Sequence, residues 1–327
     1  MRNSAPRAAE ASLVLSADES AEIGQVARKL RAAGDRVDDN AWVDAARHSW
    51  ESLPGTFRCG ISDFRRDSGP AGMLLVSGLP VDDGRLPATP SAEGSVQRTT
   101  NDSAALLMML ACGLGDPVAF RAEKSGALVQ DIVPVPGREQ MQGNTGSVDL
   151  LMHNENAFHE HRPDFVMLLC LRPDHERVAG LRTTSIREAL PLLSAQTRAA
   201  LARPEFITLP PPSFEVTHGG RPEESPVLTG DPLDPDIRVD FAATTGSTAE
   251  ARRAVTELSA ALEQVSRVVR MTSGDLAIVD NRVCLHGRTA FRPRYDGADR
   301  WLQRTFVQAD LRRSRGLRAH DGHVLMR

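Results

Sequence analysis

Arg300-Trp-Leu-Gln-Arg-Thr-Phe-Val307 alternates so that, in an extended chain, Arg300, Leu302, Arg304 and Phe306 share one face while Trp301, Gln303 and Thr305 share the other. Asp296-Gly297 just upstream marks the turn that starts the strand. Two arginines set between a leucine and a phenylalanine admit two explanations. Either the face is solvated and the arginines merely solubilise it, or it lines a core where each guanidinium meets an anion, since an unpaired buried charge is strongly unfavourable. In the second case carboxylates are the fitting partners, because arginine binds them through two parallel hydrogen bonds.

Working outward, short apolar runs at 165–171, 276–280 and 283–285 read as further strands. The clearest amphipathic helix covers 247–270, with Ala254, Leu258, Ala261, Leu262 and Val265 on one side. A second helix over 186–202 is expected to break at Pro191 and restart at Ser194. Residues 210–235 carry many prolines and glycines and read as a long mobile loop, a candidate lid. The first hundred residues look helical and then irregular. Ser16 and Glu19 form a capping-box pattern ahead of Ile23, Val26, Ala27 and Leu30, with Gly34 as the stop. A shorter helix is expected over 40–50, a surface loop over 80–99 and a buried helix over 103–112. This order predicts a mainly β fold, a barrel or sandwich with peripheral helices, in which 1–115 is helical support and 116–310 is the core of a single domain spanning 1–327. No glycine-rich phosphate loop follows a strand, which argues against a nucleotide-binding parallel sheet.

Composition narrows the class. A net charge of −4 over 327 residues offers no electrostatic reason to bind nucleic acid or an anionic membrane. No apolar run is as long as a bilayer span, and residues 1–23 do not read as a secretion signal. Cys59, Cys112, Cys170 and Cys284 are far apart and read as buried free thiols in a reducing compartment, so a cytoplasmic location is expected.

In Leu150-Leu-Met-His-Asn-Glu-Asn-Ala-Phe-His159, His153 and Glu155 lie two residues apart and can offer an imidazole nitrogen and a carboxylate oxygen to one ion. His286 is the best third ligand. Two histidines and one carboxylate on one face of an octahedron suit non-haem iron(II) and leave positions open for a 2-oxo acid and dioxygen. Alone, the pair is weak, since His159 and His161 show histidine to be locally common.

Taken together, His153-Asn-Glu-Asn-Ala-Phe-His-Glu-His-Arg-Pro-Asp164, Leu168-Leu-Cys-Leu-Arg172 and the run from His286-Gly-Arg to Arg304 resemble the clavaminate synthase-like iron(II)/2-oxoglutarate oxygenases, a group that includes hydroxylases of free arginine, asparagine and lysine. The resemblance covers roughly 130–307. It implies a double-stranded β-helix (jelly-roll) core, iron held by His153, Glu155 and His286, the distal carboxylate of 2-oxoglutarate at Arg300, and the substrate α-carboxylate at Arg304. It further implies dioxygen as co-substrate, hydroxylation of an unactivated β or γ carbon of an amino acid, and work in a natural-product (antibiotic) pathway. Where relatives carry Thr-Glu-Asp this chain has Asn154-Glu155-Asn156, and among Leu181, Arg182, Thr183 and Thr184 the co-substrate threonine is expected at Thr183. Asp240 falls where relatives place an acid against a cationic side chain; it either faces substrate or pairs internally with Arg238, and Gln130 is expected as a further polar contact. The alternatives are desaturation or cyclisation at the same site, a substrate tethered to a carrier protein, a zinc hydrolase, or a non-catalytic jelly-roll binding module.

Overall fold

The computed structural model describes residues 11–214 and 223–326, so 1–10 of the stretch read for a secretion signal and 215–222 of the expected lid lie outside the described residues. The strands are β1 (Ala11–Val14), β2 (Met73–Ser77), β3 (Val96–Gln97), β4 (Asp116–Phe120), β5 (Val129–Ile132), β6 (Leu150–His153), β7 (Phe165–Arg172), β8 (Leu181–Ser185) and β9 (Phe206–Thr208). They continue with β10 (Leu228–Asp231), β11 (Asp234–Ile237), β12 (Thr244–Gly246), β13 (Arg267–Val269), β14 (Leu276–Asp280), β15 (Cys284–Arg288), β16 (Trp301–Gln308) and β17 (Val324–Leu325). The helices used below are α1 (Ala17–Arg31), α2 (Asn40–Glu51), α3 (Gly55–Arg66), α4 (Asp102–Leu114), α5 (Ile186–Ala189), α6 (Ala195–Leu201) and α7 (Ala249–Val265).

A large sheet runs β1-β2-β14-β7-β16-β4-β17, with β5 beside β16 and β3 beside β5. A smaller antiparallel sheet runs β13-β8-β15-β6. Alternation along the strands of the large sheet sorts side chains into two apolar layers. Phe165, Met167, Leu169, Leu276, Ile278 and Val307 pack outward against α1 to α4. Val166, Leu168, Ala277, Val279, Leu302 and Phe306 point the other way and join Leu181 and Cys284 of the small sheet. On its far side the small sheet is covered by α5, α6 and α7, through Ile186, Leu201, Leu258 and Leu285. β16 is buried along its whole length, Arg304 included, and Arg300 just before it is buried too, which excludes the solvated explanation for these arginines.

Local signals fix several ends. The α1 capping box forms, with the Glu19 N–H donating to Ser16 Oγ at 3.2 Å and the Ser16 N–H to Glu19 Oε2 at 3.0 Å. Asn101 caps α4, accepting from the Ala104 N–H at 2.7 Å, and residues 103–111 are buried all round. The expected break at Pro191 is present, and Ser194 caps α6.

Four expectations need correction. Cys170 and Cys284 are buried as expected, but Cys59 on α3 is exposed and Cys112 on α4 is half-buried. The first hundred residues are not only helix and loop: β2 is an inner strand of the large sheet, between β1 and β14, and α3 precedes it. A short apolar run such as Met73-Leu-Leu-Val-Ser77 becomes recognisable as a strand only through its neighbours. The helix expected over 247–270 stops at Val265, and Arg267–Val269 pairs with β8 instead. Of the expected lid, 228–237 is a hairpin turning at Pro232-Leu233, where Gly230 takes a φ of 83°. Proline and glycine there belong to turn geometry rather than to a structureless loop.

Among the described residues no helix is long and apolar enough to cross a membrane. Gly287 lies where β15 meets β6: an added Cβ would stand 2.6 Å from the Leu150 carbonyl oxygen and 2.9 Å from Met152 Sδ. Gly287→Ala is expected to force these strands apart and cost ~1–3 kcal/mol by overpacking, seen as a lower calorimetric midpoint. Gly143→Ala, where a Cβ meets nothing within 4 Å, should leave the midpoint nearly unchanged.

Candidate active site

The small sheet sets four expected residues in one cross-strand row. His286 pairs with Thr183 on one side and with His153 on the other, and an isolated bridge continues from His153 to Asp240. Directly opposed residues project from the same face, so these side chains are neighbours. The two imidazole rings lie 4.5 Å apart, centroid to centroid. Glu155 follows two residues after β6 ends and brings Oε2 to 3.6 Å from His286 Nε2. One ligand atom each from His153, Glu155 and His286 falls within 4.8 Å of the others, a set that can hold one metal ion.

Their protonation fits that task. His153 Nδ1 lies 2.9 Å from the Leu151 carbonyl oxygen, which can only accept, so Nδ1 donates there and Nε2 is the nitrogen left to face an ion. Burial, then the neighbouring His153, push the His286 imidazole below its ordinary value, keeping it neutral. Burial raises the Glu155 carboxyl, but the Arg304 charge outweighs it and holds it well below the usual carboxylate range. Neutral imidazoles and an ionised carboxylate are what a metal requires.

Facing this row from the large sheet is Arg304, 3 % exposed. It donates to Glu155 Oε2 at 2.8 Å, to Gln130 Oε1 at 2.5 Å and to the Glu123 carboxylate. Gln130 is its cross-strand partner on β5. Two buried atoms in this cluster have no hydrogen-bond partner among the described residues: Arg304 Nε, a donor, and Glu123 Oε2, an acceptor. Arg300, also buried, has no ion pair or hydrogen bond among the described residues and lies 5.7 Å from the Phe291 ring centroid. Arg288 lies 5.5 Å from the same ring, and its basicity is pushed down to about 9 by burial and then by Arg300. A buried guanidinium without a counter-ion is an anion site.

Similarity to known proteins agrees with this chemistry. Residues 72–306 match the model of the family described as taurine catabolism dioxygenase TauD, TfdA family. The chain belongs to this family. It is 56 % identical to the L-asparagine oxygenase of Streptomyces coelicolor over 99 % of this chain and 97 % of that protein. It is 34 % identical to clavaminate synthase 2 of Streptomyces clavuligerus over 84 % of this chain and 86 % of the relative. The crystal structure of an asparagine oxygenase with Fe(II), 2S,3S-3-hydroxyasparagine and succinate superposes with a TM-score of 0.93, at 56 % identity over 97 % of this chain and 99 % of that one. This TauD/TfdA protein is thus a clavaminate synthase-like, iron(II)- and 2-oxoglutarate-dependent dioxygenase that hydroxylates an amino acid. Neither the zinc-hydrolase nor the binding-module alternative survives that membership.

Other placements refine the site of this dioxygenase. Thr183 faces the row, whereas Thr184 points away and donates to the Leu262 carbonyl at 2.6 Å, and Arg182 reaches Glu263. The Arg238–Asp240 ion pair does not form. Arg238 donates to the carbonyls of Ala157 and Phe158, while the Asp240 carboxylate accepts from the Ala242 N–H at 2.8 Å. Asn156, the departure from the family's usual acid, has a φ of 51°, which asparagine tolerates well. Two residues at the site carry no sequence signal that singles them out: Glu123, in a turn after β4, and Asn281, in the turn between β14 and β15. Adding Fe(II) anaerobically, or Co(II) as a redox-inert stand-in, is expected to raise the thermal midpoint and a chelator to reverse the rise. His286→Ala should abolish the rise.

Proposed function

We propose that the chain hydroxylates free L-asparagine at the β carbon, using iron(II), dioxygen and 2-oxoglutarate. The observation that carries the substrate class is the pair of orphaned atoms: a buried guanidinium donor and a buried carboxylate acceptor on side chains that touch. An α-amino acid zwitterion satisfies both, its carboxylate on Arg304 and its ammonium on Glu123, with Gln130 holding the guanidinium in place. An aminoacyl group tethered to a carrier protein has no free carboxylate for Arg304, so the clamp favours the free amino acid. The choice of asparagine comes from the oxygenase that is 56 % identical over nearly the whole chain, and from the 3-hydroxyasparagine bound in its structural counterpart. Asp240, free of Arg238 and next to His153 in the row, is placed to accept an N–H from a short carboxamide.

In this reading the two sheets are the halves of a jelly-roll, 1–327 is one oxygenase domain working in the cytoplasm, and α1 to α4 buttress the large sheet. His153, Glu155 and His286 would hold the iron, and Arg300 and the Thr183 hydroxyl would hold 2-oxoglutarate. Bound there, the metal supplies oxygen activation coupled to conversion of 2-oxoglutarate to succinate and carbon dioxide. The chain's own residues orient. Arg304 and Glu123 fix the α-carbon, Asp240 fixes the far end, and the carbon between is thereby aimed at the metal side of the row. Burial of the cluster between two sheets excludes water from the reaction.

The test is succinate release with mass spectrometry over a panel of free amino acids. L-Asparagine is expected to gain one oxygen atom; turnover of another amino acid instead would overturn the substrate assignment, and loss of two hydrogens would indicate desaturation or cyclisation. Glu123→Gln should raise the asparagine KM by about tenfold or more, with a smaller change in kcat, because it removes a ground-state anchor. Arg300→Leu should do the same to the 2-oxoglutarate KM.

A further inference from the structure

We propose that Asn281 is the positioning residue of the metal centre, its side-chain amide standing in for the missing strand partner of Glu155. The inference rests on the iron-dependent reading above and deepens it.

The two histidine ligands are held by a ladder, since His153 ends β6 and His286 lies within β15 opposite it. Glu155 has no such support, because β6 stops before it. Its main chain is held by one side chain. Asn281 Oδ1 accepts from the Glu155 N–H at 2.8 Å, and Asn281 Nδ2 donates to the Glu155 carbonyl at 3.0 Å and to the Pro163 carbonyl at 2.9 Å. A carboxamide presents the donor and acceptor of a peptide group, so it closes on Glu155 as a neighbouring strand would. Asn281 is 0 % exposed although it sits in a turn, where an asparagine is ordinarily solvated. Its main chain is committed to the same segment: its N–H donates to the Asp164 carbonyl at 2.8 Å, and its carbonyl accepts from Asn154 Nδ2 at 2.9 Å.

Asn154 completes the clasp. Its Nδ2 also donates to the Cys284 carbonyl at 3.2 Å, two residues before His286, and its Oδ1 accepts from the Val239 N–H at 3.0 Å, next to Asp240. Two buried amides therefore tie the segment carrying Glu155 to the strand carrying His286 and to the residue flanking Asp240. The carboxylate ligand is positioned relative to a histidine ligand by side-chain amides rather than by sheet. Asn281→Asp keeps size and the acceptor but loses both donors and sets a carboxylate against two carbonyls.

The test compares wild type, Asn281→Asp and Asn281→Ser with Ser194→Ala, which removes the α6 cap far from the site. Two readouts are taken besides the thermal midpoint: Co(II) affinity by calorimetric titration, and the ratio of succinate formed to amino acid hydroxylated. The Asn281 variants are expected to bind Co(II) at least about tenfold more weakly, as outer partners of metal ligands commonly do when removed. They should also form succinate in excess of product, while Ser194→Ala keeps wild-type values for both. Should Asn281→Asp not fold, Asn154→Ser carries the same test with a smaller loss in the same direction. Lowered midpoints with wild-type Co(II) affinity and a one-to-one ratio would overturn the proposal and leave Asn281 a purely structural residue. A wild-type chain that binds no Co(II) at all would instead remove the metal reading beneath it.

Discussion

Between two sheets, where water is excluded, the positive charge of Arg304 has to be matched, and that requirement draws three separate segments to one point. Glu123 comes from the turn after β4, Gln130 from β5 and Glu155 from the segment after β6, all to the side chain of one β16 residue. The same Glu155 oxygen that accepts from Arg304 faces His286, so the proposed substrate anchor and the candidate metal-binding set share a carboxylate. Buried ion pairs contribute little net stability, because desolvation offsets most of their attraction. The cluster is better understood as placement, while stability comes from the apolar layers on either side of the large sheet.

Those layers explain why the site can be so polar. The large sheet is buried on both faces, by α1 to α4 outside and by the small sheet inside. A rigid sheet on each side lets a row of ligands and a row of arginines approach without either depending on a loop. Glu123, Arg300, Glu155 and Asp240 lie beyond strand ends; of these, Glu155 is held by the Asn281 amide, and Asp240 through its N–H to Thr244 Oγ1 at 2.9 Å.

What was legible in the sequence follows strand periodicity. His153, Glu155, Arg300 and Arg304 could be read because alternate residues of an extended chain share a face, a purely local rule. The four residues of the row were individually visible, yet their alignment was not, since register between β8, β15 and β6 is a long-range property. Thr183 could be separated from Thr184 only once α7 was seen to claim the latter. Glu123 and Asn281 were illegible for a related reason: an acid or an asparagine in a turn is ordinary, and only tertiary burial makes it a functional group. The pairing of Arg238 with Asp240 stayed open in the sequence because alternation gives a face but not a partner. β2 and the 228–237 hairpin were missed because short segments take their structure from neighbours.

The central claim is that His153, Glu155 and His286 hold iron beside a 2-oxoglutarate anchored by Arg300. Its most direct test is anaerobic titration of the metal-free protein with Fe(II) and 2-oxoglutarate, followed by visible charge-transfer absorption. The expected result is a band that needs both additions, saturates at one iron per chain, shifts when the amino acid is added and is lost in Glu155→Ala. No band, or one that persists unchanged in Glu155→Ala, would contradict it.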